Sequence, residues 1–467
     1  MPILLSANML LSLLLYVQLC YGTLRSDFGQ LCVLMGALLA LYLHACWHIV
    51  GRQIRGRSYW ILFGWAILFR FALVFALPTL TDDFYRFVWD GRLWIGGISP
   101  FAYTPSQLVN GASGLILPKG ITLQLYECLN SPDYYTVYPP LCQGVFGFAV
   151  WLFPLNVHGA VVAMKCFICL CEVLSLILLH RLARLWGLSA AVVVLLYALF
   201  PPTIVELTGN LHFEAAMITG LLATLYCLAL WARNPAHYTA LFFAGLAMAW
   251  AIFAKLLPLL FVPLLFVWCW HKSRNFALQT RVSLVLGFGM MLGIGGAFGI
   301  FLNADMLLAL QKSTTLYFQY FEFNASVYYV LRALGYALVG YNLIALVGKL
   351  LAIGVVVFTC WLSWQYRAVE VQQLPRAMMF MLVGYFLLSP IVHPWYLLPI
   401  VVLSVFTPVR YPFVWSALSV LSYHTYIQMP YKENLYITAF VYITSLVFAL
   451  ATFASRRKGQ LGGLGHG

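Results

Sequence analysis

Charged side chains are concentrated in one stretch of the chain, residues 81–105, whose flanks are almost entirely apolar: Asp82, Asp83, Arg86, Asp90 and Arg92. The whole chain has only 13 Asp and Glu residues, so this concentration indicates a function. Two adjacent carboxylates in an apolar setting suit a general base, which takes a proton from a weak nucleophile. The competing interpretation is an ordinary helix start with acids at its cap and first turn. Asp90 and Arg92 are predicted to contact substrate, and the alternative for Asp90 is a structural ion pair with Arg86 or Arg92.

Lys255 ends a long apolar run and precedes Pro258, which breaks the helix. A charged side chain in a membrane-spanning segment is costly and usually marks a functional site. Lys255 is therefore predicted to bind a phosphate, with snorkelling to the interface as the alternative.

A second group, His393-Pro394-Trp395-Tyr396, follows another apolar run. His393 is predicted to donate to a phosphate oxygen, and Trp395 or Tyr396 to stack on a sugar ring. For the two aromatic residues, the alternative is an aromatic belt at the membrane interface.

A third group, Asn210, His212 and Glu214, begins the apolar run that follows it. We interpret it as a set of substrate hydrogen-bonding groups, because the other ligands of a metal site are not evident, although zinc remains the alternative. Lys165 and Glu172 lie inside one apolar run and are predicted to satisfy each other or a neighbouring helix.

The composition determines which elements hold these groups. Of the 467 residues, 63% are hydrophobic and 8% are charged, against about 25% charged in soluble domains. In lipid only helical bundles and closed barrels satisfy the backbone, and the long apolar runs favour helices. The sequence predicts an all-α polytopic transmembrane bundle of about 12 to 14 spans, forming a single domain over residues 1–467.

Basic residues set the predicted orientation, because cytoplasmic loops are enriched in Lys and Arg. The loop with Arg52, Arg55 and Arg57 is predicted to be cytoplasmic, as is the tail 455–467, which places the loop 79–140 outside. Short helices are predicted at Phe84–Trp94 and Leu123–Leu129, and the run 141–153 is predicted to be interfacial or re-entrant. Cys128 and Cys142 could form a disulfide in an oxidising compartment.

The net charge of +13 does not indicate a nucleic-acid partner. No cluster of Lys and Arg lies beside stacking aromatic residues on a soluble face. The expected environment is membrane lipid, and the excess charge anchors cytoplasmic loops.

The motif D-D-x-Y-R-x-x-W-D-G-R at 82–92, followed by G-x-x-P-F-x-Y-x-P and Tyr138-Pro139-Pro140, resembles a known family. It is similar to the polyprenyl-phosphate-dependent mannosyltransferases of the GT-C superfamily, and within them to the bacterial alpha-mannosyltransferases related to GPI and mycobacterial enzymes. The later segments containing His212, Lys255, Asn324 and His393 fit the same resemblance, which adds Tyr138 and Asn324 to the expected substrate-binding residues.

The resemblance implies an inverting glycosyltransferase whose external loop supplies an aspartate base, with Asp82 as first choice and Asp83 as second. The donor would be a polyprenyl-phosphate sugar, most simply mannose, and the acceptor a glycan or glycolipid hydroxyl. The phosphate would be held by Lys255, His393 and Arg86, without metal or other cofactor. The expected location is a bacterial inner membrane with the site outside.

Two departures from the family pattern concern the acceptor. Three spans precede the loop where the family often has one, and His212-Phe213-Glu214 stands where the family has His-x-Asp. Two alternatives remain at this point: a ligase using an undecaprenyl-diphosphate-linked glycan, and a non-catalytic transporter of lipid or sugar.

Overall fold

The protein is described by a computed structural model over residues 3–111, 114–298, 306–309, 311–313 and 321–462. Within these ranges the structure is helical and contains no β-strand longer than an isolated bridge. The α-helices are α1 Ile3–Gly22, α2 Phe28–Gly51, α3 Gly56–Ala72, α4 Asp83–Ile95, α5 Pro105–Val109, α6 Leu123–Glu127, α7 Pro140–Leu152, α8 Val157–Leu185, α9 Ala190–Ala198, α10 Glu214–Arg233, α11 Tyr238–Ala254, α12 Val262–Lys272, α13 Phe276–Phe298, α14 Val327–Val339, α15 Ile344–Gln365, α16 Leu374–Leu388, α17 Leu398–Ser404, α18 Tyr411–Ser419 and α19 Leu435–Gly462. A π-helix covers Thr203–Gly209, and 3₁₀-helices cover Leu257–Phe261, Val371–Gln373, Pro394–Leu397 and Val420–Tyr426.

Eight helices of the described residues are long and apolar enough to cross a membrane. They are Leu4–Gly22, Phe28–Gly51, Val157–Leu185, Glu214–Arg233, Phe276–Gly296, Ile344–Gln365, Val371–Leu388 and Leu435–Ala454. A ninth candidate is α9 together with the π-helix, which are bent by 58°. The predicted class, a polytopic helical membrane bundle, is confirmed. The predicted number of spans stays a prediction, because further apolar helices are shorter than a full crossing.

Small residues allow the central helices to approach closely. A Cβ atom on Gly245 of α11 would lie 2.3 Å from the Leu286 carbonyl oxygen of α13, and one on Gly289 would lie 2.2 Å from the Phe242 oxygen. Such backbone proximity is how helices associate in lipid, where the hydrophobic effect between them is weak.

The loop 79–140 is docked on the bundle through α4, which matches the predicted helix Phe84–Trp94. The Phe87 and Phe146 rings stack 4.6 Å apart between α4 and α7. A Cβ atom on Gly91 would lie 2.6 Å from the Phe146 carbonyl oxygen, so only glycine permits this contact. The second predicted loop helix is α6. The run 141–153 forms α7, and whether it crosses the membrane stays a prediction.

The two intramembrane charges of α8 do not pair with each other. Glu172 forms an ion pair with Arg70 of α3, and the Lys165 ammonium donates to main-chain carbonyls of neighbouring segments. The alternative that each is satisfied by a neighbour is therefore confirmed. Cys128 and Cys142 are both free, and the Cys142 thiol donates to the Ala254 carbonyl oxygen over 3.2 Å.

Candidate active site

The two adjacent carboxylates lie at the amino-terminal end of α4, where the helix dipole stabilises negative charge. Asp82 forms an ion pair with Arg25, from the short connection between α1 and α2. Arg25 also donates to the Tyr431 hydroxyl over 2.8 Å and lies 4.9 Å from the Tyr426 ring centroid. The Asp82 carboxylate is thus paired with the Arg25 guanidinium.

Arg25 was missed by the sequence reasoning. The signal that could have found it is its position, since it is a basic residue in a connection predicted to be external, against the trend of the other loops.

Asp83 points to a different set of partners. Its carboxylate accepts from the Asn130 amide over 2.8 Å and from the Tyr138 hydroxyl over 3.3 Å. Both donors belong to the same loop, so the loop folds back to hold the Asp83 side chain.

Lys255 lies on the other side of Tyr138. Its ammonium is 5.5 Å from the Tyr138 ring centroid and 5.8 Å from that of Tyr396. It forms an ion pair with Glu214 at 3.1 Å, and that carboxylate is buried. Tyr138 therefore contacts both the Asp83 carboxylate, which is the second-choice base, and the Lys255 ammonium, whereas the first-choice base Asp82 pairs with Arg25.

A cavity of about 330 Å³ opens beside Lys255. Its polar lining residues include Lys255, Glu214 and Tyr396, and Val137, which precedes Tyr138 in the chain, also lines it. The rest of the wall is largely apolar and comes from α10, α16 and the Leu257–Phe261 helix, including Met217, Leu256, Leu257, Leu260, Tyr385 and Phe386. The cavity is thus lined mainly by apolar side chains, and the Lys255 ammonium is among its polar lining groups.

Four rings form a continuous stack next to this cavity. His212 stacks on Trp395 with centroids 3.9 Å apart, and His393 covers the opposite face of Trp395 at 4.4 Å. Phe323 extends the stack, 4.7 Å from His393. Because both faces of Trp395 are covered, it cannot stack on a sugar ring, and that prediction is wrong for Trp395. Tyr396 remains at the cavity.

Both histidines of the stack are neutral. Burial, with a smaller contribution from the Lys255 ammonium, lowers the pKa of His393 to about 3. Burial and Lys255 likewise hold the pKa of His212 well below its usual range. His393 can therefore donate one N–H to an oxygen, but it carries no positive charge.

This neutrality predicts a pH-dependent stability. Below about pH 6.5 a histidine of the unfolded chain binds a proton that the folded protein excludes, so stability falls as pH falls, by about 1.4 kcal/mol per pH unit for each histidine. We expect the melting temperature in detergent to drop from pH 7 to pH 5, and His393→Gln to reduce that slope. His237→Gln, at an exposed position, is the control and should keep it. A slope unchanged in His393→Gln would contradict the buried neutral imidazole.

Glu206 is a buried carboxylate that the sequence reasoning did not single out. It lies in the π-helix and accepts from Asn210 over 3.0 Å and from the Tyr423 hydroxyl over 3.2 and 3.1 Å. His212 lies 3.7 Å from it. π-helical turns occur often at functional sites. The available signal was a glutamate within an apolar run just after Pro201-Pro202.

The turn that presents these groups is strained at Leu211. This residue is fully buried and has a φ of 61°, a left-handed conformation that a leucine rarely adopts. Neighbouring hydrogen bonds hold the turn, from the Asn210 N–H to Val205 and from the His212 N–H to Leu207. Such strain persists only where the surrounding structure enforces it, and it is concentrated at functional sites.

Three predicted site residues of α4 have structural partners instead. Arg86 is buried, pairs with Asp90 at 2.7 Å, and donates to the carbonyl oxygens of Ser131 and Tyr134. The second Asp90 oxygen accepts from Gln143 over 3.0 Å. The interpretation of Asp90 and Arg86 as a structural ion pair is confirmed.

The side chains of Arg92 and Asn324 also donate hydrogen bonds to main-chain carbonyl oxygens. Arg92 donates to the carbonyl oxygens of Pro154 and Gly120. Asn324 is fully buried, has a φ of 47°, and its amide donates to the Val392 carbonyl oxygen over 3.0 Å. Asn324 thus supports the His393 segment from behind. Among the residues that the structure describes, no three His, Cys, Asp or Glu side chains are grouped so as to hold a metal ion.

Lys255 lines the apolar cavity and also lies near Tyr138, which holds the Asp83 carboxylate. A sequence model of the N-terminal domain of alpha-(1->6)-mannopyranosyltransferases matches residues 7–272, more than half of the chain. The chain belongs to this alpha-(1->6)-mannopyranosyltransferase family. No curated protein matches the chain significantly.

The family assignment has direct consequences for this mannosyltransferase. It is an enzyme and an alpha-mannosyltransferase, which excludes a non-catalytic transporter. The matched range contains Asp82, Asp83, Glu206, Glu214 and Lys255. The His393 segment lies beyond it and is connected to the matched part through the His212–Trp395 stack.

Proposed function

We propose that this mannosyltransferase moves mannose from a polyprenyl-phosphate donor to an acceptor hydroxyl, with inversion at the anomeric carbon. The single observation that carries the proposal is Tyr138, whose hydroxyl donates to the Asp83 carboxylate and whose ring centroid lies 5.5 Å from the Lys255 ammonium. A base and a phosphate-binding cation that both contact one side chain suit a displacement in which the base takes a proton and the cation stabilises the departing phosphate.

The cavity supports a lipid-phosphate donor. Its apolar wall suits the first isoprenoid units, and Lys255 at the rim suits the phosphate. A soluble nucleotide sugar would leave that apolar wall in contact with water. The neutral His393 would add a hydrogen bond to a phosphate oxygen, and Arg86, being engaged by Asp90, is not included.

Asp83 is the better candidate for the base. Asp82 is neutralised by Arg25, whereas the Asp83 carboxylate has neutral hydrogen-bond donors, Asn130 and Tyr138. These donors orient the carboxylate without removing its charge. We therefore propose Asp83 as the base and give Asp82 the role of fixing the loop to Arg25.

The proposed reaction is a single displacement at the anomeric carbon of the donor. Asp83 takes the proton of the acceptor hydroxyl while the hydroxyl oxygen forms a bond to the anomeric carbon. The bond between that carbon and the phosphate oxygen breaks on the opposite face, and its electron pair leaves with the phosphate. Lys255 stabilises the negative charge that develops on the leaving phosphate. No metal is needed in this scheme, because the ammonium supplies the positive charge.

The acceptor would be a glycan or glycolipid that approaches from the aqueous side. The positive-inside rule supports this approach, because it assigns the Arg-rich loops to the cytoplasm and so predicts an external loop 79–140. We propose a bacterial inner membrane with the site facing outward.

The test is transfer by the protein reconstituted in liposomes from a synthetic polyprenyl-phosphate mannose, with EDTA present, to oligomannoside and glycolipid acceptors. We expect a mannosylated product with inverted anomeric configuration and an unchanged rate on adding EDTA. GDP-mannose is the matched donor control and should give no product. Consumption of GDP-mannose, or of an undecaprenyl-diphosphate-linked glycan in place of the monophosphate, would contradict the proposed donor. A rate lost with EDTA would contradict the metal-free step.

A further inference from the structure

Lys165 is a fully buried lysine in the middle of α8 that the proposed reaction does not use. Its ammonium donates to three main-chain carbonyl oxygens: Leu73 at 3.1 Å, Ala76 at 2.6 Å and Gly209 at 2.7 Å. All three ammonium protons are thus directed to backbone groups of other segments.

The three acceptors belong to two segments that lead into the candidate site. Leu73 and Ala76 follow α3 and begin the path to Asp82 and Asp83. Gly209 ends the π-helix, just before the strained Leu211. Lys165 therefore ties the segment before the proposed base to the segment before Glu214, the partner of Lys255.

A second tie lies two turns further along the same face of α8. The buried Glu172 carboxylate pairs with Arg70 of α3 at 2.9 Å and accepts from Thr208 of the π-helix over 2.8 Å. Arg70 also donates to the Ala198 carbonyl oxygen at the end of α9. Lys165 and Glu172 thus hold the same pair of segments.

We propose that Lys165 and Glu172 are positioning residues that fix the Asp83 side of the site relative to the Glu214–Lys255 side. The inference rests on the proposed function, because it assigns these residues to the alignment of that base with that cation. Charged groups inside a membrane protein are costly, and apolar side chains of similar volume would serve stability alone at least as well. Lys165 and Glu172 instead make directional hydrogen bonds, which fix the positions of specific carbonyl and hydroxyl groups. Apolar packing cannot fix such groups in this way.

Loss of either tie lets the turn at 209–214 relax from its strained conformation. A shift of about 1 Å in reacting groups costs on the order of 100-fold in rate, while the groups that bind the donor remain present. The expected signature is therefore a fall in kcat with little change in the donor KM.

The primary variants are Lys165→Met and Thr208→Val. Lys165→Met removes the three hydrogen bonds of the Lys165 ammonium. Thr208→Val removes only the link from Glu172 to the π-helix and leaves the Arg70–Glu172 ion pair in place. We expect kcat to fall about 100-fold in the first and about tenfold in the second, with donor KM within about threefold. Ser175→Ala is the matched control, because Ser175 is a buried residue of α8 whose hydroxyl bonds Thr219 at 2.9 Å, and it should keep kcat within about twofold.

A second readout does not depend on activity. Hydrogen exchange of peptides covering 73–82 and 204–214 should be faster in both primary variants and unchanged in Ser175→Ala, while α11 and α13 keep their protection. Failure of the proposed donor would leave this exchange result intact, so the two failures can be distinguished. Wild-type kcat in both variants would overturn the inference. It would equally be overturned if Thr208→Val lost kcat only together with protection throughout the protein.

Discussion

We expect Asp83→Asn to reduce mannosyl transfer about 1,000-fold, the largest effect of any single substitution in this protein. The amide keeps the shape and the hydrogen bond from Tyr138, but it cannot accept a proton from the acceptor hydroxyl. General base catalysis contributes about 100- to 10,000-fold in enzymes. Asp82→Asn should cost less, about tenfold, because it weakens the contact with Arg25 and leaves the proposed base in place.

The measurement is the initial rate of transfer from polyprenyl-phosphate mannose by purified variants in liposomes. The matched control is Asp27→Asn, since Asp27 also lies at a helix start and Asn preserves the cap that it forms with the Gln30 N–H. It should keep the wild-type rate. If Asp82→Asn is the inactive variant and Asp83→Asn keeps substantial activity, then Asp82 is the base and our assignment of the pair is reversed.

The second large effect is expected for Lys255→Met, which should lower kcat/KM about 100- to 1,000-fold. The substitution keeps an unbranched apolar stem along the cavity and removes the charge that stabilises the departing phosphate. It also leaves the buried Glu214 carboxylate without its cation. The negative charge of that carboxylate then repels the donor phosphate. Lys255→Arg should recover part of the loss, since a guanidinium also binds phosphate.

Lys272→Met provides the control for Lys255→Met. Lys272 ends α12 and pairs with Glu370 at 2.9 Å at the protein surface. Its loss should leave kcat/KM within about twofold, because exposed ion pairs contribute little. If Lys255→Met bound and turned over the donor at the wild-type level, Lys255 would have no role in the mechanism. The reason for assigning a phosphate to this cavity would then be lost.

Several elements of the fold follow directly from local sequence. The loop helix over 84–94 was predictable because an amphipathic run begins after two acids and ends before a glycine, and α4 is found at Asp83–Ile95. The membrane-spanning class follows from composition, since a chain with 8% charged residues cannot cover itself with polar surface.

The meeting of Asp83, Lys255, Glu214 and His393 was also predictable, because their chain breaks were assigned to one side of the membrane. Their partners were less accessible to sequence reasoning. The Tyr423 hydroxyl and Glu206 lie 217 positions apart, and Arg25 and Asp82 lie in different connections between helices. No local periodicity reports such contacts.

Residue type alone also misjudged some roles. Trp395 looked available for stacking on a sugar, but both of its faces are used by histidines. His393 was expected to help hold a phosphate, but burial keeps its imidazole neutral, so it can offer a hydrogen bond and no charge. Both corrections depend on what surrounds a side chain rather than on the side chain itself.

By itself the sequence determined that this protein is a helical bundle in a membrane and that its scarce polar groups gather where the apolar runs are interrupted. Hydrophobicity and chain breaks are local properties, so they can be read along the chain. Only the tertiary structure decided which of the two adjacent carboxylates pairs with Arg25, that both histidines of the stack are neutral, and which segments the buried charges of α8 contact. These outcomes depend on distances of a few ångström between segments far apart in the chain, where a charge, a hydrogen bond and the exclusion of water act together.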